Sequence, residues 1–158
     1  METVRTEGVI SWDECFMRMA RLIAQRSKDP DKQCGAVIVD DNNIVLGMGY
    51  NGFPRGIDSE ALPWTRRSQS PTLLESKHAY IVHAEENAIC NTNVKPQGAR
   101  LYCTMFPCNE CAKIIIQTGL KEVIFMSDPK HDRDIWVAAR RLFELAGVKT
   151  RQYEITNN

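Results

Sequence analysis

The sequence predicts a single three-layer α/β domain on a mixed five-stranded sheet. Three observations lead there. The chain has 158 residues, within the ~100–200 of one domain. Its apolar patterns run α, β, β, α, β, α, β, α, β. Strands alternate with helices through the second half, which calls for helices on the faces of a sheet and a mixed pairing.

Each element has its own signal. Ser11 to Arg26 reads as a helix, with Phe16, Met19, Ala20, Ile23 and Ala24 on one face. Ser11 with Glu14 three residues on fits a capping box, and Asp29-Pro30-Asp31 ends the segment. Cys34 to Val39 is a short β-branched run, Asp40 to Asn43 a turn, and Ile44 to Tyr50 a second strand, so the two strands form a hairpin. From Asn51 to Lys77 periodicity is lost and Pro54, Pro63 and Pro71 intervene, so an insert at about 53–78 interrupts the domain that spans 1–158; long stretches of this kind are usually functional. Tyr80 to about Asn91 reads as a helix, and Ala99 to Met105 as a strand. A helix follows from Cys108 to Gly119, a strand from Glu122 to Met126, and a helix from Ile135 to Ala146 that Gly147 ends. Lys149 to Ile155 is the last strand.

Composition excludes several classes of function. Hydrophobic residues are 43% and charged residues 25%, the balance of an ordinary globular protein. Lys plus Arg equals Asp plus Glu, 20 of each, whereas a polynucleotide-binding chain usually carries a basic excess. No apolar run approaches the ~20 residues of a membrane span, and Met1 to Ile10 holds no apolar core of a secretory signal. The expectation is a cytoplasmic protein with no membrane and no nucleic-acid partner, and its six cysteines read as metal ligands or buried apolar groups rather than disulfides.

Chemistry concentrates in two segments, His83-Ala84-Glu85 and Pro107-Cys108-Asn109-Glu110-Cys111. One His and two Cys supply three ligands for Zn²⁺ and leave a fourth position open, the arrangement of a catalytic rather than a structural zinc. Cys108 and Cys111 lie three apart, on one face of a helix whose N-terminus favours thiolate. Glu85 need not bind the metal. A carboxylate beside such a site can carry a proton from water, whose pKa zinc lowers to ~7, to a substrate. His-x-Glu with Pro-Cys-x-x-Cys is the signature of zinc-dependent nucleobase deaminases. A structural site or a redox pair is the competing reading. The first needs a fourth ligand, for which His78 is the nearest candidate, and leaves Glu85 without a role; the second leaves His83 without one. Cys15, Cys34, Cys90 and Cys103 read as small buried apolar residues. His131 follows a strand end, where ligand loops often lie, and reads equally well as a surface residue.

Gly47-Met-Gly-Tyr-Asn-Gly-Phe-Pro54, together with the two zinc segments, resembles the deoxycytidylate (dCMP) deaminases. The likeness extends through Arg26-Ser-Lys-Asp-Pro30, Leu62-Pro-Trp64, His83 to Ile89, Phe106 to Ala112 and Lys121 to Asp128, and so over about Trp12 to Tyr153. It implies an α/β/α cytidine-deaminase-like fold and conversion of dCMP and water to dUMP and ammonia, which feeds thymidylate synthesis. It implies His83, Cys108 and Cys111 as zinc ligands, Glu85 as proton shuttle, the Ala84 N–H against the pyrimidine carbonyl, and Asn51 against the deoxyribose. Arg26 and Lys28, ahead of the first strand, and Arg55, Arg66 and Arg67 in the insert are the candidate phosphate contacts, each also readable as a solvated charge, and Lys130 is a further candidate substrate contact. The family is typically a homo-oligomer, a hexamer, activated by dCTP with Mg²⁺ and inhibited by dTTP. Its Gly-Tyr-Asn-Gly turn, here Gly49, Tyr50, Asn51 and Gly52, would hold the effector. Two departures stand out. Asn51 to Lys77 holds neither His nor Cys, so no second zinc is expected, and Asp128-Pro-Lys130 places a lysine where many members carry an aromatic ring. That lysine keeps a dCMP/dCTP deaminase open as an alternative. A tRNA-adenosine or single-stranded-DNA deaminase is the other alternative, disfavoured by the zero net charge.

Overall fold

The computed structural model describes residue 4 and residues 7–156. The domain expectation over 1–158 therefore reaches beyond the described residues at both ends. Helix α1 spans Trp12–Ala24, and strands β1 (Gly35–Val39) and β2 (Val45–Tyr50) form the expected hairpin. Then come α2 (Ala84–Cys90), β3 (Arg100–Met105), α3 (Asn109–Gln117), β4 (Glu122–Ser127), α4 (Asp134–Ala146) and β5 (Lys149–Gln152). The sheet order is β2-β1-β3-β4-β5. β1 pairs antiparallel with β2 and β3, whereas β3, β4 and β5 run parallel, so the sheet is mixed as expected.

Strand alternation divides the core in two. Val37, Val39, Tyr102 and Ile124 face α1, where Phe16, Met17 and Ala20 meet them. Ala36, Ile38, Leu101, Cys103, Val123 and Phe125 face the other way, against α2, α3 and α4. β1 is buried along its whole length, as a central strand covered on both faces must be.

Several expectations shift. Met17, rather than Met19, is the fully buried methionine of α1. Ser11 caps α1, accepting from the Glu14 N–H at 3.1 Å, but the Glu14 carboxylate does not complete the box. It turns instead to Arg18 and Tyr153, 2.7 and 2.8 Å away. The last strand stops at Gln152, and Tyr153 and Ile155 pack as a tail against the α1-side core. The helix expected from Tyr80 begins at Ala84, because Val82 is held extended by a two-way bridge to Gly52. Within the insert lie three short 3-10 turns at Arg67–Gln69, Leu73–Glu75 and Lys77–Ala79, and Phe53 stacks on Trp64 with ring centres 4.2 Å apart. None of the described helices is long and apolar enough to cross a membrane.

Candidate active site

The site lies where β2, β3 and β4 end, the edge at which α/β sheets bind ligands. A cleft of about 440 Å³ opens there, with Asn51 after β2, Cys108 after β3 and Lys130 after β4 on its walls, and with the start of α2 at His83, Ala84 and Glu85.

His83 is the N-cap of α2, in extended backbone at φ −75° and ψ 159°. Its N–H donates to Glu86 Oε2 at 2.9 Å, so the capping carboxylate of the helix also orients this residue. Cys108 is the N-cap of α3 at φ −74° and ψ 174°. Cys111 therefore lies in the first turn, three residues on. Both chemical segments are helix starts, which bring their side chains over the ends of the helices rather than along their flanks. Glu85, two residues past the cap, enters the cleft beside His83.

The donor atoms of His83, Cys108 and Cys111 lie within 4.8 Å of one another. His83 Nδ1 is 3.2 Å from Cys111 Sγ and 3.5 Å from Cys108 Sγ. Ligands at tetrahedral angles, with bonds of about 2.0–2.3 Å to a zinc ion, lie about 3.5 Å apart. Donor types and spacing both fit Zn²⁺, and His78, though it lines the same cleft, is not part of the donor cluster, its Nδ1 lying 3.1 Å from Ser76 Oγ. Hydrogen bonds from Cys111 and His83 pull the Cys108 thiol down to about 4, so it is a thiolate at neutral pH. The Cys108 contact, offset in part by burial, raises His83 to about 9. The Cys111 thiol, which donates to Glu85, is pushed up by the neighbouring Cys108 and by burial.

Glu85 is 8% exposed, and its Oε2 lies 3.6 Å from Cys111 Sγ. Burial raises its carboxyl above the ordinary range, and the neighbouring His83 opposes that rise. A carboxyl poised in this way next to a metal-ligand cluster can both take and return a proton.

The remaining candidates divide. Ala84, Asn51 and Lys130 line the cleft. Ala84 is the first residue of α2, so its N–H has no acceptor within the helix. The Lys130 ammonium sits over the Trp136 ring, 4.7 Å from its centre. Arg26 and Lys28 do not line the cleft. Arg26 is exposed just beyond α1, and Lys28 Nζ bonds Ser59 Oγ of the insert at 3.0 Å. In their place Lys32, Lys77 and His78 reach the walls. Among the described residues neither Lys32 nor Lys130 forms an ion pair. The reading of the sequence missed Lys77 and Asp29; a lysine and an aspartate 48 residues apart carry no local signal. Gly49 packs beneath α2, where a Cβ would meet Ala88 N and, at 2.5 Å, Ala84 O. Tyr50 is exposed, with its carbonyl accepting from Asn87 Nδ2 at 2.7 Å, and Gly52 pairs with Val82. Of the other cysteines, Cys103 is buried and Cys15 and Cys34 half-buried, but Cys90 is exposed because α2 ends there. His131 is exposed and outside the cleft.

Comparison with known proteins agrees with this geometry. The chain is 50% identical over 150 residues to the human protein named deoxycytidylate deaminase, covering 94% of this chain and 83% of that one. The mouse protein of the same name gives the same identity and coverage. The structure resembles the dCMP deaminase of cyanophage S-TIM5, solved in complex with dCMP and dUMP, with a TM-score of 0.69 and 26% identity over 89% of this chain and 95% of that one. The model of the cytidine and deoxycytidylate deaminase zinc-binding region matches residues 10–127, which include every zinc-ligand candidate and Glu85, and the chain belongs to that family.

Proposed function

We propose that this protein is a zinc-dependent hydrolase that converts dCMP and water to dUMP and ammonia, supplying dUMP for thymidylate synthesis. One observation carries the chemistry: a buried carboxylate, Glu85, placed 3.6 Å from one sulfur of a His/Cys/Cys cluster at the floor of the cleft. The substrate rests on half-identity to proteins named deoxycytidylate deaminases across nearly the whole chain.

His83, Cys108 and Cys111 would hold Zn²⁺, which supplies Lewis acidity that makes water a nucleophile at neutral pH. Glu85 takes a proton from the attacking water and delivers it to the ring nitrogen beside C4. It then moves the remaining hydroxyl proton to the departing amino group, which leaves as ammonia, and the carboxylate is regenerated. The Ala84 N–H donates to the pyrimidine carbonyl, and Asn51 meets the deoxyribose. Lys130 and Lys32, cations on the cleft wall without acidic partners, hold the phosphate.

The same reading includes a homohexamer in the cytoplasm, activation by dCTP with Mg²⁺ and inhibition by dTTP, with the effector on the Gly49–Gly52 turn. Support for this regulatory part is the resemblance of that turn. A second reading, deamination of dCTP as well, is favoured by Lys130, whose charge suits a longer phosphate chain better than a ring does.

Ammonia release from the purified protein decides between them. The substrates are dCMP, CMP, dCTP and a cytosine-containing oligonucleotide, each with and without dCTP–Mg²⁺ or dTTP. Turnover of dCMP, raised by dCTP and lowered by dTTP, is the expected result. Comparable turnover of dCTP selects the second reading, and turnover of the oligonucleotide alone overturns both.

A further inference from the structure

A buried ion pair ties the end of the insert to the loop between α1 and β1. Lys77 and Asp29 are each 6% exposed. Lys77 Nζ lies 2.6 and 2.8 Å from the two Asp29 carboxylate oxygens and 2.9 Å from Asp31 Oδ2. The Asp29 carboxylate also accepts from the N–H groups of Asp31 and Lys32, at 2.8 and 3.3 Å, and from Asn51 Nδ2 at 3.3 Å.

Asn51 is saturated on one side only. Its two N–H donors go to Asp29 and to the Lys32 carbonyl, the latter at 2.9 Å. Its Oδ1 accepts from the Cys34 N–H at 2.8 Å and keeps one lone pair. This hydrogen-bond pattern determines which end of the amide is the acceptor. Asp29, Lys77 and Asn51 line the same cleft as Glu85.

Burying a lysine between two carboxylates is a poor route to stability, because apolar packing of the same volume does as well. The arrangement makes better sense as orientation. Without the ammonium, two neighbouring carboxylates repel each other, and Asp29 no longer holds its place beside Asn51.

We propose that Lys77 is a positioning residue for substrate binding: through Asp29 it orients the Asn51 amide so that Oδ1 accepts from a hydroxyl of the substrate sugar. This rests on the reading of Asn51 as the deoxyribose contact.

A double-mutant cycle tests it, read as dUMP affinity by isothermal titration calorimetry on the zinc-loaded full chain. K77M and N51A are each expected to weaken dUMP binding about tenfold, the size of one hydrogen bond to a sugar. The double variant K77M/N51A should bind no more than about twofold more weakly than N51A alone, since coupled residues are not additive. D31N, which removes the outer partner shared with Arg66 at 2.7 Å, should lower the melting temperature while dUMP affinity stays within about twofold. If K77M does not fold, K77Q enters the same cycle. Multiplying losses, or undiminished affinity in the Lys77 variant, overturn the positioning role alone. Failure of the unaltered protein to bind dUMP overturns it together with the reading of the site.

Discussion

At position 83 extended backbone turns into helix, and that one change of direction places three functional groups. The His83 ring is swung over the helix end, the Ala84 N–H is left without a helical acceptor, and the Glu85 carboxylate enters the cleft. If Glu85 carries the proton transfers, its contribution is typically worth 10²–10⁴-fold. E85Q keeps the size of the side chain but cannot accept a proton. It should lower kcat for dCMP by about 10³-fold or more while elemental analysis still finds one zinc per subunit; surviving turnover would remove Glu85 from the mechanism. Lys130 makes a different prediction. If its ammonium holds the phosphate, K130A should lower kcat/KM for dCMP by roughly 10–100-fold, the span of one charged hydrogen bond. It should leave deoxycytidine, which has no phosphate, nearly unaffected. Equal losses on both substrates would argue for general damage to the α4 end of the cleft.

Helices α2 and α3 act as mounts for the site, and their distance from the sheet is set by small residues. Gly47 and Gly49 of β2 lie directly beneath α2, with the Ala88 carbonyl 2.5 Å from where a Cβ of Gly47 would stand and the Ala84 carbonyl 2.5 Å from that of Gly49. Backbone atoms cannot yield as a side-chain end does, so G49A must lift the helix. The expected loss is about 1–3 kcal/mol in denaturant unfolding, with weaker zinc retention because the candidate ligand His83 caps α2. Unchanged stability and zinc content would mean that the helix shifts freely. The same contact accounts for two glycines of the motif by packing alone, independently of any effector. On the other side, Phe106 precedes the Cys108 segment and is clamped edge-on by Phe125 and Phe143, at 4.9 and 5.9 Å, with the Arg140 guanidinium 4.2 Å from its ring centre. That cage fixes the residue just ahead of the Cys108 segment against β4 and α4.

Across the whole molecule, the α1-side layer is closed by charge as well as by apolar packing. Glu14, buried at the foot of α1, accepts from Tyr153 at 2.8 Å, from Arg18 at 2.7 Å and from the Thr156 N–H at 3.2 Å. The tyrosine hydroxyl foremost, with these other donors, holds its carboxyl at about 2, against the opposing effect of burial. A carboxyl depressed in the folded state stabilises the fold above its unfolded pKa. That contribution is lost as pH falls from about 4.5 to about 2. E14Q should therefore be less stable than the unaltered protein at pH 7 and lose less between pH 5 and pH 3, measured by urea unfolding. A parallel decline of the two proteins over that window would rule out Glu14 as the linked group. Asp13, whose carboxyl Arg151 depresses in the same direction, adds to the effect and remains in both proteins.

The site's chemistry was legible in the sequence because it is local. His-x-Glu and Pro-Cys-x-x-Cys each bring their groups within one turn of a helix start, so spacing alone singles out the candidate ligands and the carboxylate beside them. The strand and helix order was legible for a similar reason, since burial on one or both faces writes a period into the residues. Helix starts were less so. His83 looked like a residue inside a helix until the Val82–Gly52 bridge, a contact between segments 30 positions apart, held the chain extended. Long-range choices were not legible at all. The capping box at Ser11 was half right because Glu14 found Tyr153 and Thr156 at the far end of the chain. Arg26 and Lys28 are candidate phosphate contacts by their place ahead of the first strand, whereas in the fold Lys28 bonds Ser59 and the cations that line the cleft are Lys32, Lys77 and Lys130. Local spacing and periodicity in the chain were enough for the elements, the mixed sheet and two short segments of candidate zinc ligands. Which cations line the cleft, and the reach of Lys77 to Asp29 and through it to Asn51, emerged in the fold alone, because those contacts depend on how distant segments pack.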